Sequence, residues 1–223
     1  MKKIILLLAI SMSLNLVAQK EIKEGVIMNK VTMSSENEQV NASLAMIGDM
    51  NTTTYFKGNK SRTEMKSPMT GDNTTIIDND AKKMFSLISN PMLGNKYTQS
   101  DIKASEDDLK NLIITKKDDS KTILGYVCKG YDITGITSGI EVKMTMYVTD
   151  KIIATTQNNA ILGEKLKGYP MYLVMAVNQG TMIMQITMEA TEVKDEKVAD
   201  SKFDMTIPEG YTKMETPKPP KID

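Results

Sequence analysis

The sequence predicts a mainly β fold of the α+β class, built on an antiparallel sheet. In two segments, apolar residues occupy every second position and polar residues stand between them. Because side chains alternate faces along a strand, each segment forms a ribbon with one apolar and one polar face. Short segments of this kind, separated by turn residues, favour hairpins over alternating βαβ units. The apolar positions of the two ribbons are Val142, Met144, Met146 and Val148, and then Met182, Met184, Ile186 and Met188.

Eleven segments are predicted as strands from alternation and from their β-branched, aromatic and methionine content. Turn residues at 58–59, 78–80, 118–120 and 178–180 are predicted to join neighbouring strands, because Gly, Asn and Asp favour tight turns. The predicted strands are residues 22–33, 41–46, 52–56, 60–65, 75–77, 83–88, 112–116, 121–133, 141–149, 171–177 and 181–193.

Two segments interrupt this pattern and are predicted as short helices. Ser105 can cap a helix whose first turn is acidic, with Asp108 at the reciprocal capping position. Residues 158–167 place Ile161, Leu162 and Leu166 on one side of a second helix, which Gly163 weakens.

The chain begins with the features of an export signal. Lys2 and Lys3 precede a short apolar run at residues 4–10, and Ala18 is a small residue suited to cleavage. We therefore expect a signal peptide at 1–18, one domain at 19–213 and a disordered tail rich in Pro and Lys at 214–223. The alternative is an uncleaved membrane anchor. With no Cys beside the cleavage site for lipid attachment, the expected location is periplasmic or secreted.

Charge and hydropathy exclude several classes of partner. The chain has 28 basic and 28 acidic residues, so removal of Lys2 and Lys3 leaves a net charge of −2. The charges are interspersed with no basic stripe, so a nucleic-acid partner is not expected. No later segment approaches the roughly 20 apolar residues of a spanning helix, so we expect no stable membrane span in the mature chain. Cys128 is the single cysteine and is predicted to be a buried small hydrophobe, the alternative being a reactive thiol.

The sequence indicates a protein that is not an enzyme. It has no His, which removes the commonest general base and metal ligand. It also lacks a Gly-x-Ser-x-Gly motif, a glycine-rich phosphate loop and a cysteine pair for zinc. No catalytic residue, metal site or cofactor is therefore predicted. Methionine pairs such as Met144 and Met146 leave Cu(I) binding as a further hypothesis, although Val and Ile share their faces.

Three segments resemble a known family of exported bacterial proteins. They are residues 55–65 (YFKGNKSRTEM), 121–131 (KTILGYVCKGY) and 200–211 (DSKFDMTIPEGY). The chain is similar here to domain of unknown function 4412, found mostly in Bacteroidota. The resemblance covers most of the mature chain and implies a relation to lipoprotein carriers of the LolA and LolB type. It implies a curved antiparallel sheet forming an open half-barrel, with a few short helices as a lid over bound acyl chains. No activity is established for the family, so no catalytic residue is implied.

We therefore expect a hydrophobic lipid or acyl ligand on a methionine-lined concave face, because methionine suits adaptable binding surfaces. The chain has 19 Met but 3 Phe and no Trp. The expected partner is a lipid or a lipidated envelope component. The alternative is a structural or interaction module of the cell envelope, with a fully packed core and no ligand. The expected lining residues are Val142, Met144, Met146, Val148, Met182, Met184, Ile186 and Met188, with Ile161 and Leu166 on the lid.

Overall fold

The chain forms one curved, open sheet of twelve strands in a computed structural model. The structure describes residues 20–67, 71–92, 94–102, 110–137, 140–156, 162, 166–179 and 182–214. The strands are β1 (Glu24–Ser35), β2 (Met50–Lys57), β3 (Lys60–Lys66), β4 (Asp72–Asp78), β5 (Lys83–Asn90), β6 (Gly94–Asp101), β7 (Leu112–Ile123), β8 (Tyr126–Thr137), β9 (Ile140–Thr149), β10 (Tyr169–Gln179), β11 (Met182–Lys194) and β12 (Thr212–Lys213). Between β1 and β2 lies the α-helix α1 (Glu38–Ile47), and a short 3-10 helix spans Asp200–Phe203.

Two antiparallel meanders meet at β1. The strand order is β12-β6-β5-β4-β3-β2-β1-β11-β10-β9-β8-β7, so β1 pairs with both β2 and β11. Every pairing is antiparallel except that of β12 with β6. The two predicted methionine ribbons, on β9 and β11, therefore lie in the same half of the sheet, on either side of β10.

Two of the predicted turns are confirmed. Gly58 has φ +55 in the connection of β2 to β3, a left-handed conformation that glycine adopts without a steric penalty. Asp78 ends β4, and its Oδ1 accepts hydrogen bonds from the backbone N–H of Asp80 (3.1 Å) and Ala81 (2.9 Å). Such a carboxylate-capped turn explains the acidic residues at 78–80 without a metal.

The prediction of a strand at residues 41–46 is wrong, because these residues belong to α1. The Oδ1 of Asn37 caps this helix, accepting hydrogen bonds from the backbone N–H of Gln39 (3.0 Å) and Val40 (3.2 Å). The segment is rich in Ala, Leu and Met, which favour helix. None of the ten side chains of α1 is buried. The helix therefore has no packed apolar face, which would have given its sequence a recognisable helical hydrophobic pattern.

Asn37→Ala is expected to weaken α1 by about 1 kcal/mol, because the cap satisfies two otherwise unpaired backbone N–H groups. Hydrogen exchange should become roughly five-fold faster in α1, with β9 and β10 unaffected. Ser43→Ala, at an exposed position inside the helix, serves as the control and should not speed exchange. Unchanged exchange in Asn37→Ala would show that the cap does not hold the helix.

The predicted turn at residues 118–120 is also wrong. These residues lie inside β7, where the register with β8 shifts between Lys116 and Ser120. The hairpin turn instead falls at Leu124 and Gly125, whose φ values are +50 and +85. The polar run marks a β-bulge, and it places Asp119 Oδ2 2.7 Å from the Tyr147 hydroxyl that donates to it.

Strand β6 was not predicted, because its sequence GNKYTQSD lacks apolar alternation. It pairs with β5 and β12, so partners in the sheet compensate for its weak local preference. Several other predictions fall outside the described residues. These are the signal peptide, the helix starting at Ser105, the tail beyond residue 214 and most of the segment 158–167.

A first apolar cluster surrounds the buried Tyr169. Its hydroxyl donates to Asn29 Oδ1 (3.1 Å), and Asn29 Nδ2 donates to Thr52 Oγ1 (3.2 Å). Burial raises the pKa of Tyr169 to about 12. Cys128 belongs to this cluster and is fully buried, which confirms the prediction of a small buried hydrophobe. Burial raises the pKa of its thiol to about 11.

These two groups predict a loss of stability in alkali. Each is neutral when protonated, and each has a folded-state pKa above its ordinary value of 9.0 for Cys128 and 10.0 for Tyr169. The native state therefore retains protons that the unfolded chain releases, so stability falls as the pH rises from about 9 to about 12. The slope should approach roughly 1.4 kcal/mol per pH unit for each group.

Urea unfolding at a series of pH values measures this slope. Cys128→Ala should flatten it from pH 9 to 11, and Tyr169→Phe should flatten it from pH 10 to 12. If neither substitution alters the slope, the assignment to these two groups is wrong.

Candidate functional site

The register of the sheet aligns the two methionine ribbons across β10. Met175 pairs with Met144 of β9 on one side and with Ile186 of β11 on the other. Two residues earlier on β10, Leu173 pairs in the same way with Met146 and Met188. Paired residues of an antiparallel sheet project from the same face. The ribbons therefore form two continuous apolar rows, in which β10 supplies the central side chain.

The same rows continue into the flanking strands. On one side Met144 pairs with Ile133 of β8, which pairs with Ile114 of β7. On the other side Ile186 pairs with Met33 of β1. We call this surface the methionine face. It is formed by Met33, Ile114, Ile133, Met144, Met146, Leu173, Met175, Met184, Ile186 and Met188.

The row of Met146 and Leu173, which we call the covered row, is more deeply buried than the row of Met144, Met175 and Ile186, which we call the accessible row. Met146 has 0% of its surface exposed and Leu173 has 5%, and Leu162 and Leu166 pack in the same apolar cluster. Met144, Met175 and Ile186, by contrast, are only partly buried, although Ile133 in their row is fully buried and Met188 in the covered row is partly buried. One part of the face is thus ordinary core, while the neighbouring part retains apolar surface in contact with solvent.

The structure brings most of the predicted lining residues together. Met144, Met146, Val148, Leu166 and Met188 belong to, or pack against, one apolar cluster. Met184 and Ile186 are partly buried residues of β11 in register with the same strands. The side chains of Val142 and Met182 are not described, and Ile161 lies outside the described residues.

Sequence reasoning missed the contribution of β10. Leu173 and Met175 lie between the predicted ribbons, but β10 reads YPMYLVMAVNQ, with apolar residues on both faces. Without alternation, the sequence does not indicate which side chains share the face of Met144. Ile114 and Ile133 were missed for the same reason. Their strands were predicted, but the sequence did not show which of their side chains share a face with the methionine ribbons.

A cavity that is largely open to solvent lies beside the methionine face, at the edge of the sheet. It has a volume of about 390 Å³ and is lined by Leu112, Ile114, Lys116 and Tyr131. Lys116 is directly opposite Tyr131, which pairs in turn with Met146, and Ile114 belongs to the row of Met144, so the cavity borders the edge of both rows. Its volume lies in the range of about 300–1,000 Å³ typical of small-molecule sites.

One register row of this face changes from apolar to hydroxyl side chains beyond β1. On the next strands the same face carries Thr54, Thr63, Thr75 and Ser86, which follow Ile27 in one register row. Thr54 and Thr63 share a hydrogen bond of 3.0 Å between their hydroxyls. The methionine face therefore does not continue along this row, although the next row of β2–β4 holds the buried Phe56 and Ile77.

Within the part of the chain that the structure describes, no group of three or more His, Cys, Asp and Glu residues is placed to hold a metal ion. No helix among these residues is long and apolar enough to cross a membrane. The residues that line the cavity offer apolar contact together with an amine and a phenol.

The fold and the site define a mainly β protein with an apolar face on one half of a twelve-stranded sheet. The chain belongs to the family Domain of unknown function (DUF4412), whose profile matches residues 39–211. A solved structure described as "Structure of PNGF-II in C2 space group" is similar, with 16% sequence identity and a TM-score of 0.48. The alignment covers 86% of this chain and 31% of that one, so the chain spans about a third of its length. No curated protein matches the chain.

Proposed function

We propose that this protein is a non-enzymatic, exported protein, periplasmic or secreted, that binds the acyl part of a lipid or lipidated envelope component on the methionine face. The observation that carries the proposal is the partly exposed row of Met144, Met175 and Ile186 beside a cavity of about 390 Å³. Unbranched thioether side chains adapt to varied apolar shapes, which suits a ligand with a flexible chain.

Binding in this proposal is passive. The acyl chain lies along the accessible row and replaces water there, and each buried CH₂ contributes about 0.8 kcal/mol. Leu162 and Leu166 already pack in the cluster of the covered row. These two side chains belong to the lid of a half-barrel like that of the LolA-type carriers, and the ligand leaves when they separate from the row.

A second candidate function is a structural or interaction module of the cell envelope with no ligand. The burial of Met146, Leu173 and Ile133 favours it, because these side chains form a packed core without any added molecule. The two candidate functions differ only in whether a ligand covers Met144 and Met175 in the cell.

Native mass spectrometry of the protein purified from its natural host distinguishes the two. The binding proposal predicts an added mass that disappears after solvent extraction, with an acyl lipid in the extract. A protein with no added mass, whose partly exposed row also binds no apolar dye, would be the structural module.

A further inference from the structure

We propose that Lys116 and Tyr131 form a headgroup site for a fatty acid carboxylate at the mouth of the cavity. This inference rests on the proposed function and names its ligand as a single-chain amphiphile with one anionic group. The two residues are directly opposite each other on β7 and β8, and both line the cavity with Leu112 and Ile114. A cation and a hydroxyl donor thus line the same cavity as two aliphatic side chains.

The charge of Lys116 is uncompensated among the described residues. No described carboxylate lies within 4.0 Å of its ammonium group. Lys129, by contrast, which occupies the same face further along β8, has Asp150 Oδ2 at 3.6 Å. Lys116 also lies in the register row of Tyr131 and Met146, where the remaining side chains are apolar. An exposed cation beside a row of this kind complements an anionic headgroup, with the attached chain directed along the methionine face.

The geometry favours a carboxylate over a phosphate diester. The site offers one ammonium group and one phenol hydroxyl, which match the two oxygens of a carboxylate. Phosphate recognition ordinarily draws on arginine forks or several cations. Arg62 is the single arginine of the chain, and it donates to Glu64 Oε1 at 2.6 Å, on β3. The cavity volume and the single accessible row suit one acyl chain.

Competition binding tests the proposal with the protein purified from its natural host and delipidated. The probe is the neutral dye N-phenyl-1-naphthylamine, displaced in low salt by laurate, dodecanol or lauroyl-lysophosphatidylglycerol. We expect laurate to bind at least ten-fold more tightly than dodecanol. Lys116→Gln should abolish this difference while leaving dodecanol affinity unchanged. Lys143→Gln, which removes the same charge from the exposed opposite face of β9, should preserve it.

Each other outcome has a definite meaning. If the dye binds but laurate and dodecanol compete equally, or if Lys143→Gln acts like Lys116→Gln, the headgroup site is wrong and the proposed function stands. If lauroyl-lysophosphatidylglycerol binds more tightly than laurate, the carboxylate assignment is wrong. If the dye does not bind and no amphiphile associates with the protein, the proposed function itself fails.

Discussion

Met146→Ala is expected to lower the free energy of unfolding by about 2–5 kcal/mol. Met146 is fully buried in the cluster that includes Leu173 and Leu166, so truncation removes apolar contacts and leaves a cavity. Urea denaturation of the delipidated protein measures the change as a shift of the midpoint at constant slope.

Met184→Ala is the matched control, because it removes the same atoms from a partly exposed position of β11. It should cost less than about 1 kcal/mol, since the side chain already contacts solvent in the folded state. Equal losses in the two variants would mean that the methionine face is uniformly packed, as in the structural module. A small loss in Met146→Ala would contradict the division of the face into a covered and an accessible row.

Ile186→Glu is expected to reduce the affinity for an acyl ligand at least ten-fold, which corresponds to about 1.4 kcal/mol. Ile186 is partly buried and forms the accessible row with Met175 and Met144. A carboxylate at this position would lose hydration when an acyl chain covers it, without a cation beside it in the row. Displacement of N-phenyl-1-naphthylamine by dodecanol measures the affinity without contribution from a charged headgroup.

Gln185→Glu introduces the same carboxylate one residue away, on the exposed opposite face of β11. It should leave dodecanol affinity within two-fold of the original value, about 0.4 kcal/mol. Both variants are first compared by urea denaturation, so that a loss of binding is not mistaken for unfolding. If Ile186→Glu binds as tightly as Gln185→Glu, the ligand does not lie on the methionine face.

The parts of the fold that were predicted correctly are those in which local pattern and sheet environment agree. Strand β9 alternates polar and apolar residues, and its predicted bounds differ from the observed Ile140–Thr149 by one residue at the start. The hairpin at Gly58 was predictable because few residues adopt its positive φ. Where both faces are apolar, as in β10, sequence shows a strand but not its orientation.

The wrong predictions have a common cause, because the same residue types occur in more than one kind of local structure. Asn37 caps a helix, although the alternation of Val40, Ala42 and Leu44 suggests a strand. The polar residues at 118–120 lie in a β-bulge, although residues of these types also favour turns. The site was only half predictable for another reason. The register that places Met175 between Met144 and Ile186 depends on long-range pairing, which no local pattern encodes.

Photo-crosslinking with a diazirine-bearing lauric acid tests the central claim most directly, that the accessible row of the methionine face holds an acyl chain. After irradiation and digestion, mass spectrometry should locate saturable labels on Met144, Met175 and Ile186, which unlabelled laurate removes by competition. Labels that do not saturate, or that appear equally on the hydroxyl row of Thr63 and Thr75, would contradict the claim.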